Sequence, residues 1–141
     1  VYGDDLPDKS MAEAEALLIK YPDLRGIISP TTVGVAAAAQ AVENAGRAPE
    51  LQVTGLGTPN QMRRFIENGT VTAFALWSPY DQGVLASYLA QKVLFEGFVI
   101  EEGASFDVPP LGRTIEIGKD NVIITGPPVV FTIENIGDFD F

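Results

Sequence analysis

Apolar and polar positions alternate along the first two-thirds of the chain, with the period of a helix and then the period of a strand. Between residues 9 and 21 the apolar side chains of Met11, Ala14 and Leu18 share one helical face. Short apolar runs, such as residues 25–29, are typical of buried strands. The pattern predicts helices at 9–21, 33–45, 59–68 and 81–96, and strands at 25–29, 51–55 and 71–76.

Residues with special backbone or capping chemistry mark the helix boundaries. Thr32 is the predicted N-cap of the helix that begins at residue 33, because its hydroxyl can accept a bond from a free amide of the first turn. Thr58 followed by Pro59 marks the start of the next helix. Gly46 and Gly97 are placed to end the helices before them.

Strands and helices that alternate at this short spacing indicate right-handed βαβ units. Each predicted helix has one apolar stripe and each predicted strand is apolar throughout, as expected for a parallel sheet covered by helices. The predicted class is therefore α/β, a three-layer α/β/α arrangement with a mostly parallel sheet.

The pattern changes after Gly97. Strands are predicted at 113–117 and 122–124, and the tail from Thr132 to Phe141 is short, acidic and aromatic. These pieces are too small to form a core alone. We expect them to pack against the first part of the chain or against sequence outside it.

Composition excludes several classes of function. The 141 residues carry 9 Lys+Arg and 19 Asp+Glu, a net charge of -10. Nucleic acids and anionic membrane surfaces are disfavoured as partners, because both require a basic face. The absence of His and Cys excludes a Ser-His-Asp triad, a Cys nucleophile and the usual zinc and iron–sulfur sites. We expect no metal or cofactor.

The chain also lacks the marks of a natural start or of a membrane anchor. No apolar run approaches the roughly 18 residues of a spanning helix. The chain begins at Val1 rather than at a methionine. We expect it to be part of a longer protein.

Candidate chemistry collects where the predicted strands end, because ligands of open α/β sheets bind beyond the carboxyl ends of the strands. Residues 1–2 are predicted to end a truncated strand, which would bring Asp4 and Asp5 to the same edge. This edge has carboxylates, hydroxyls, helix N-terminal amides and one indole, a set typical of sugar sites. The residues that follow the other three strands are Pro30, Thr31, Thr32, Leu56, Gly57, Thr58, Trp77 and Ser78.

Four of these residues also have a purely structural interpretation. Asp4 can be a solvated loop carboxylate. Thr32 and Thr58 can serve only as helix caps. Trp77 can belong to the core.

No catalytic constellation is present in the sequence. The segment 55–59 lacks both the Gly-Lys-Ser/Thr ending of a phosphate loop and the third glycine of a dinucleotide fingerprint. Asp4 and Asp5 are adjacent, so they are unsuited to flank a substrate as a hydrolase pair. Arg63 and Arg64 are predicted to lie on a solvated helix face. The protein is therefore not expected to be an enzyme.

Several segments together carry a resemblance to a known family. They are VYGDD at 1–5, DKS at 8–10, PTTVGV at 30–35, VTGLG at 53–57 and WSPYDQG at 77–83. In combination they resemble the sugar-binding proteins of ABC importers, closest to the rhamnose-binding branch, with the autoinducer-2-binding branch next. The final segment, ENIGDFDF at 134–141, resembles the end of the second branch.

The resemblance implies two α/β lobes joined by three crossover strands, which close on ligand, in a protein about twice this length. Residues 1–76 would then belong to the C-terminal lobe. Residues 77–97 would be a crossover and a helix of the missing N-terminal lobe, and residues 98–141 the hinge and closing strands with a short tail. Without the missing lobe, the chain is expected to self-associate.

The resemblance also implies ligand contacts. Asp4 matches a polar sugar contact, and Pro30 and Thr32 match positions that touch ligand in the autoinducer-2 branch. Trp77 stands where ribose binders have a glutamine, and Gly57 where they have an aspartate, which favours a rhamnose-like 6-deoxyhexose over ribose. The candidate ligand-binding residues are Asp4, Pro30, Thr31, Thr32, Gly57, Thr58 and Trp77.

The function implied is capture of a monosaccharide by hinge closure and delivery to the membrane subunits of an ABC importer. The resemblance places such a protein in the periplasm, or lipid-anchored outside the cytoplasm. Two alternatives remain open: an autoinducer-2-binding protein, and the effector domain of a sugar-responsive transcription regulator. A doubly wound nucleotide or phosphosugar enzyme is the least favoured class.

Overall fold

The computed structural model describes all 141 residues, Val1–Phe141, and divides into two compact units. The first unit consists of Val1–Leu76 and Val129–Phe141, so the chain leaves it once and returns. The second unit is Trp77–Pro128. How the two units correspond to the lobes of the resembled proteins stays a prediction.

Apart from the strand end expected at residues 1–2, the helices and strands predicted up to residue 96 are present, with ends within a few residues of those expected. Three short 3₁₀ turns, at Pro109–Leu111, Lys119–Asn121 and Ile136–Asp138, complete the structure. The longer elements are α1 (Pro7–Lys20), β1 (Gly26–Ser29), α2 (Thr32–Asn44), β2 (Gln52–Gly55), α3 (Pro59–Glu67), β3 (Phe74–Leu76), α4 (Pro79–Glu96), β4 (Ser105–Val108), β5 (Arg113–Glu116) and β6 (Val129–Phe131).

The first unit has a small, mostly parallel sheet. β1 and β2 pair in parallel from Gly26↔Gln52 to Ser29↔Gly55. A parallel bridge between Leu56 and Ala75 joins β2 to β3. β6 pairs antiparallel with β3 and ends the sheet. The α/β class predicted from the sequence is confirmed.

The helices α1, α2 and α3 all pack on one face of this sheet. Their buried residues form a single apolar cluster with Val53, Phe74 and Phe131, which alternate onto that face. On the opposite face Ile28 is 79% exposed and Val130 is 51% exposed. Within the first unit, this chain therefore places helices on one face of the sheet only.

The C-terminal tail packs back onto the first unit, which was one of the two expectations. Ile136 is buried, and the ring of Phe139 meets that of Phe131 edge-on at 4.8 Å. Arg63 donates hydrogen bonds to the carbonyl oxygens of Ile136 and Phe139. The backbone N–H of Asn60 donates to Phe141 O at 3.1 Å. The expectation that Arg63 lies on a solvated face is therefore wrong, whereas Arg64 is exposed.

The second unit is a helix packed on a hairpin. β4 and β5 pair antiparallel from Ser105↔Glu116 to Val108↔Arg113. Their inward residues form a small cluster with one face of α4; the buried members are Leu85, Phe106, Val108, Ile115 and Ile117. None of the helices in the chain has the length and hydropathy needed to cross a membrane.

Two predicted strand segments do not form strands. Residues 122–124 alternate in burial, but they pair with no neighbouring strand, and Val122 and Ile124 are exposed. Residues 1–2 are likewise exposed and unpaired. Both segments have a strand-like pattern without a partner in this chain, and a strand requires one to satisfy its backbone groups.

The contacts of the C-terminal tail predict that substitutions of two adjacent arginines lower the free energy of unfolding by different amounts. Arg63→Ala should lower the free energy of unfolding by about 1–3 kcal/mol, because it removes charge-assisted bonds to two carbonyl oxygens. Arg64→Ala should cost less than about 1 kcal/mol, because its ion pair with Glu43 is largely exposed. Urea unfolding followed by circular dichroism would measure both changes. Equal losses of unfolding free energy in the two variants would contradict the role of Arg63 in holding the tail.

Candidate functional site

The parallel strands β1, β2 and β3 end at the same edge of the first unit's sheet. Their last residues are Ser29, Gly55 and Leu76. In sheets of this kind the edge at the carboxyl ends of the strands is the usual ligand position. The residues that follow directly are Pro30, Thr31 and Thr32 after β1, Leu56, Gly57 and Thr58 after β2, and Trp77 after β3.

β1 and β2 approach each other very closely at this edge because residue 55 is glycine. A Cβ on Gly55 would lie 1.8 Å from Ser29 O, and its φ of +151° is one that other residues rarely adopt. The N–H of Leu56 donates to Ser29 O at 3.0 Å. This contact holds the loop after β2 against the end of β1.

Gly57 is buried beneath the edge. Its N–H donates to Ala75 O at 3.1 Å. A Cβ at this position would lie 2.7 Å from Met62 Cγ and 3.1 Å from Phe74 Cδ2. A side chain at position 57 would point into the core, so the structure gives Gly57 a packing role and leaves only its backbone for a ligand.

Thr31, and not Thr32, caps helix α2. Thr31 Oγ1 accepts the N–H of Gly34 at 3.0 Å, and its extended backbone is the geometry that an N-cap requires. Thr32 is already the first residue of the helix, so the prediction that it is the cap is wrong. Thr58 occupies the N-cap position of α3, but its side chain makes no capping bond.

Asp4 and Asp5 are the central residues of a tight turn that leads into α1. Their φ angles are +51° and +58°, and Leu6 N–H donates to Gly3 O at 2.9 Å, as in a type I′ turn. The Lys9 ammonium donates a hydrogen bond to Asp4 Oδ2, which raises the pKa of Lys9 above its usual 10.5. Asp4 Oδ1 makes no hydrogen bond within the protein.

A groove of about 330 Å³ at this edge brings three of the predicted residues together. Asp4, Pro30 and Thr31 all line it. Ser29 and Glu13 also line it, and sequence reasoning did not single them out. Ser29 ends the strand predicted at 25–29, and this position was the one signal that could have identified it.

The lining of the groove combines apolar and polar groups. Its apolar members include Ala14 and Ala38, which are buried, and Leu17, which is half-buried. Its polar members include the exposed carboxylate of Asp4 and the half-buried hydroxyl of Thr31. A surface of this kind can bind a small molecule that has hydroxyl groups and an apolar side.

The other predicted residues do not line this groove. Thr32, Gly57 and Thr58 lie at the same edge by their position after β1 and β2. Trp77 is the first residue of the second unit and is 44% exposed, so much of its indole is accessible to a ligand.

The polar groups at this edge can bind a ligand. No group of three or more carboxylates lies close enough to hold a metal ion. The polar groups at the groove are carboxylates and hydroxyls, which recognise a ligand through directional hydrogen bonds.

The buried position of Gly57 leads to a prediction with an internal control. Gly57→Ala should destabilise the protein by about 1–3 kcal/mol, because its Cβ would overlap Met62 and Phe74. Gly83→Ala, in α4 with no atom near the new Cβ, should stabilise it by about 0.5–1 kcal/mol. Thermal or urea unfolding would measure both changes, and a neutral Gly57→Ala would rule out the packing role.

Comparison with known proteins gives a consistent relationship. Residues 1–97 match the periplasmic binding protein domain family. A sugar ABC transporter protein from Actinomyces odontolyticus is 42% identical over 100% of this chain, with a TM-score of 0.89. An ABC transporter solute-binding protein from Clostridium phytofermentas, with bound L-rhamnose, is 32% identical over 97% of the chain, with a TM-score of 0.83.

A third structure shows the same fold at lower identity. LsrB from Clostridium saccharobutylicum, in complex with AI-2, is 24% identical over 99% of the chain, with a TM-score of 0.82. The chain spans 45%, 46% and 47% of the three matched proteins, respectively, which is less than half of each. The family match covers most of the chain, and two of these relatives exceed 30% identity. The chain therefore belongs to the periplasmic binding protein domain family.

Proposed function

We propose that this chain is part of a solute-binding protein that captures a monosaccharide outside the cytoplasm and delivers it to the membrane subunits of an ABC importer. The observation that carries the proposal is the groove at the sheet edge, which gathers Asp4, Pro30 and Thr31. Relatives described as a sugar ABC transporter protein and as an ABC transporter solute-binding protein support it.

The polar groups at the edge suit sugar hydroxyls, which both donate and accept hydrogen bonds. Asp4 Oδ1 can accept. The hydroxyl of Thr31 can donate while its oxygen caps α2, and the hydroxyl of Thr58 is free of any capping bond. Thr32 lies in the first turn of α2, whose N-terminal amides lack helical partners. With Pro30, which also lines the groove, these groups form one side of the proposed site.

The favoured ligand is a 6-deoxyhexose such as L-rhamnose. Trp77 offers an accessible indole to the apolar side of a sugar ring, and a 6-deoxy sugar has a methyl group in place of one hydroxyl. The relative from Clostridium phytofermentas has L-rhamnose bound. Gly57 adds little to this choice, because a side chain there would point into the core.

Capture is proposed to occur by hinge closure. A ligand that contacts both lobes of such a protein stabilises the closed form, and the importer recognises that form. In this scheme the first unit belongs to the C-terminal lobe and the second unit to the other lobe. The chain leaves the first unit after Leu76 and re-enters it at Val129, as expected of a lobe joined to its partner by crossing segments.

The surface of the second unit supports its assignment to a larger lobe. Its apolar cluster is small, and the C-terminal end of α4 exposes Leu94 at 73% and Phe95 at 82%. Val99 and Ile100, just beyond the helix, are 66% and 42% exposed. Apolar side chains this close together are usually covered by another surface.

The central prediction concerns Trp77. In the protein that includes both lobes, Trp77→Ala should weaken L-rhamnose binding about tenfold, the loss expected for about 1.4 kcal/mol of stacking and burial. Tyr80→Ala is the matched control, since Tyr80 is 67% exposed nearby in the sequence and has no proposed ligand role. Isothermal titration calorimetry with L-rhamnose, ribose and autoinducer-2 would measure affinity for wild type and both variants.

The same titration decides among ligands. Binding of L-rhamnose with a Kd of about 1 µM or tighter is expected for an import receptor. Tighter binding of ribose would overturn the 6-deoxyhexose preference, and tighter binding of autoinducer-2 would assign the alternative ligand. No binding to any of the three would contradict the proposed ligand class.

This chain, studied by itself, is expected to self-associate. Light scattering should show dimers or larger species, because association would bury the exposed apolar side chains at the end of α4. Phe95→Glu should shift the distribution toward monomer, whereas Ile19→Glu, at an equally exposed position on α1, should not. A wild-type chain that is monomeric at high concentration would contradict the assignment of this surface.

A further inference from the structure

Two short links connect the units of this chain, and they start from one strand pair. Leu76 ends β3 and Val129 begins β6, and the two residues are paired across the sheet. The outgoing link begins with Trp77 and Ser78 in the second unit. The returning link runs through Thr125, Gly126 and two prolines to Val129.

Arg113, on β5 of the second unit, binds the returning link directly at Thr125 and the outgoing link through Asp81. Its Nη2 lies 3.0 Å from Asp81 Oδ2, and the same nitrogen donates to Thr125 O. Asp81 is in the first turn of α4, where Ser78 Oγ accepts the Asp81 N–H at 3.1 Å and donates to Asp81 Oδ1 at 2.9 Å. Arg113 is the one side chain with hydrogen bonds to both links: it bonds Thr125 directly, and it reaches Ser78 through Asp81.

The guanidinium of Arg113 packs against the returning link at Gly126. A Cβ on Gly126 would lie 2.7 Å from Arg113 Nη1, and the φ of Gly126 is +129°. Arg113 Nε is buried and has no hydrogen-bond partner. An unpaired buried donor is unfavourable, so the bonds to Asp81 and Thr125 must hold the side chain where it is.

We propose that Arg113 is a positioning residue that fixes the outgoing and returning links relative to each other, so that Trp77 is presented to ligand in one orientation. The inference rests on the proposed function of the protein for its effect on binding. Arg113 itself contacts no ligand. Both bonds come from Nη2, which lies one bond further from the backbone than a lysine ammonium, so a lysine at position 113 is too short to keep both.

The test uses the protein with both lobes and compares Arg113→Lys with Ile115→Val. Ile115 is a buried neighbour on β5, so Ile115→Val loosens the same cluster without touching the link contacts. Amide hydrogen exchange without ligand should speed at least fivefold at residues 81 and 82, whose N–H groups bond Ser78 of the outgoing link, in Arg113→Lys. It should change little there in Ile115→Val. Asp81→Asn should also speed exchange at residues 81 and 82, although the bond from Arg113 to Thr125 remains.

Sugar dissociation gives the functional readout. Arg113→Lys should raise the dissociation rate constant of L-rhamnose at least fivefold, with little change in the association rate constant. If Ile115→Val has the same effects on exchange and dissociation at a similar loss of thermal stability, Arg113 is merely structural. Unchanged exchange in Arg113→Lys would also overturn the inference. If the wild-type protein binds none of the tested sugars, the proposed function fails, and the exchange data still decide the role of Arg113.

Discussion

The first unit depends on the antiparallel pair of β3 and β6, strands separated in sequence by the whole second unit. Closing so long a loop costs conformational entropy. The stacked rings of Phe74 and Phe131, with centroids 4.9 Å apart and both buried, help to offset that cost. β6 also carries the C-terminal tail onto α3, where Arg63 binds it. The edge of the sheet, the tail and α3 therefore depend on the same contact, and so does the point where the chain crosses between units.

The candidate site is built on close packing of small residues. Gly55 allows the ends of β1 and β2 to touch, and Gly57 allows the core to close under the loop that follows. Helix α2 is rich in alanine, and Ala38, Ala39 and Ala41 are buried in the shared apolar cluster with α1 and the sheet. Small side chains let a helix lie close to its neighbours. The N-terminus of α2, and the threonines there, thus stand on a well-packed base.

The proposed ligand contacts differ in how they are held. Thr31 is held by its own capping bond at the start of α2, and Asp4 by a turn and by its ion pair with Lys9. Trp77 is the first residue of a link between units, so packing within the first unit does not orient it. Thr31 and Asp4 are therefore preorganised within the first unit, whereas the orientation of Trp77 depends on the link. The bonds that Arg113 makes within the second unit bear on the orientation of Trp77.

The sequence by itself determined the order of helices and strands up to residue 96, because periodicity, prolines and glycines act over a few residues. It also placed Pro30 and Thr31 at the edge where the parallel strands end. Asp4 lies there too, although residues 1–2 form no strand. Only the tertiary structure decided which of two adjacent arginines binds the tail, and that residues 122–124 form no strand. Arg63 and Arg64 have the same chemistry and neighbouring positions on one helix. What separates them is a pair of carbonyl oxygens more than seventy residues away, and no local pattern encodes such a distant partner.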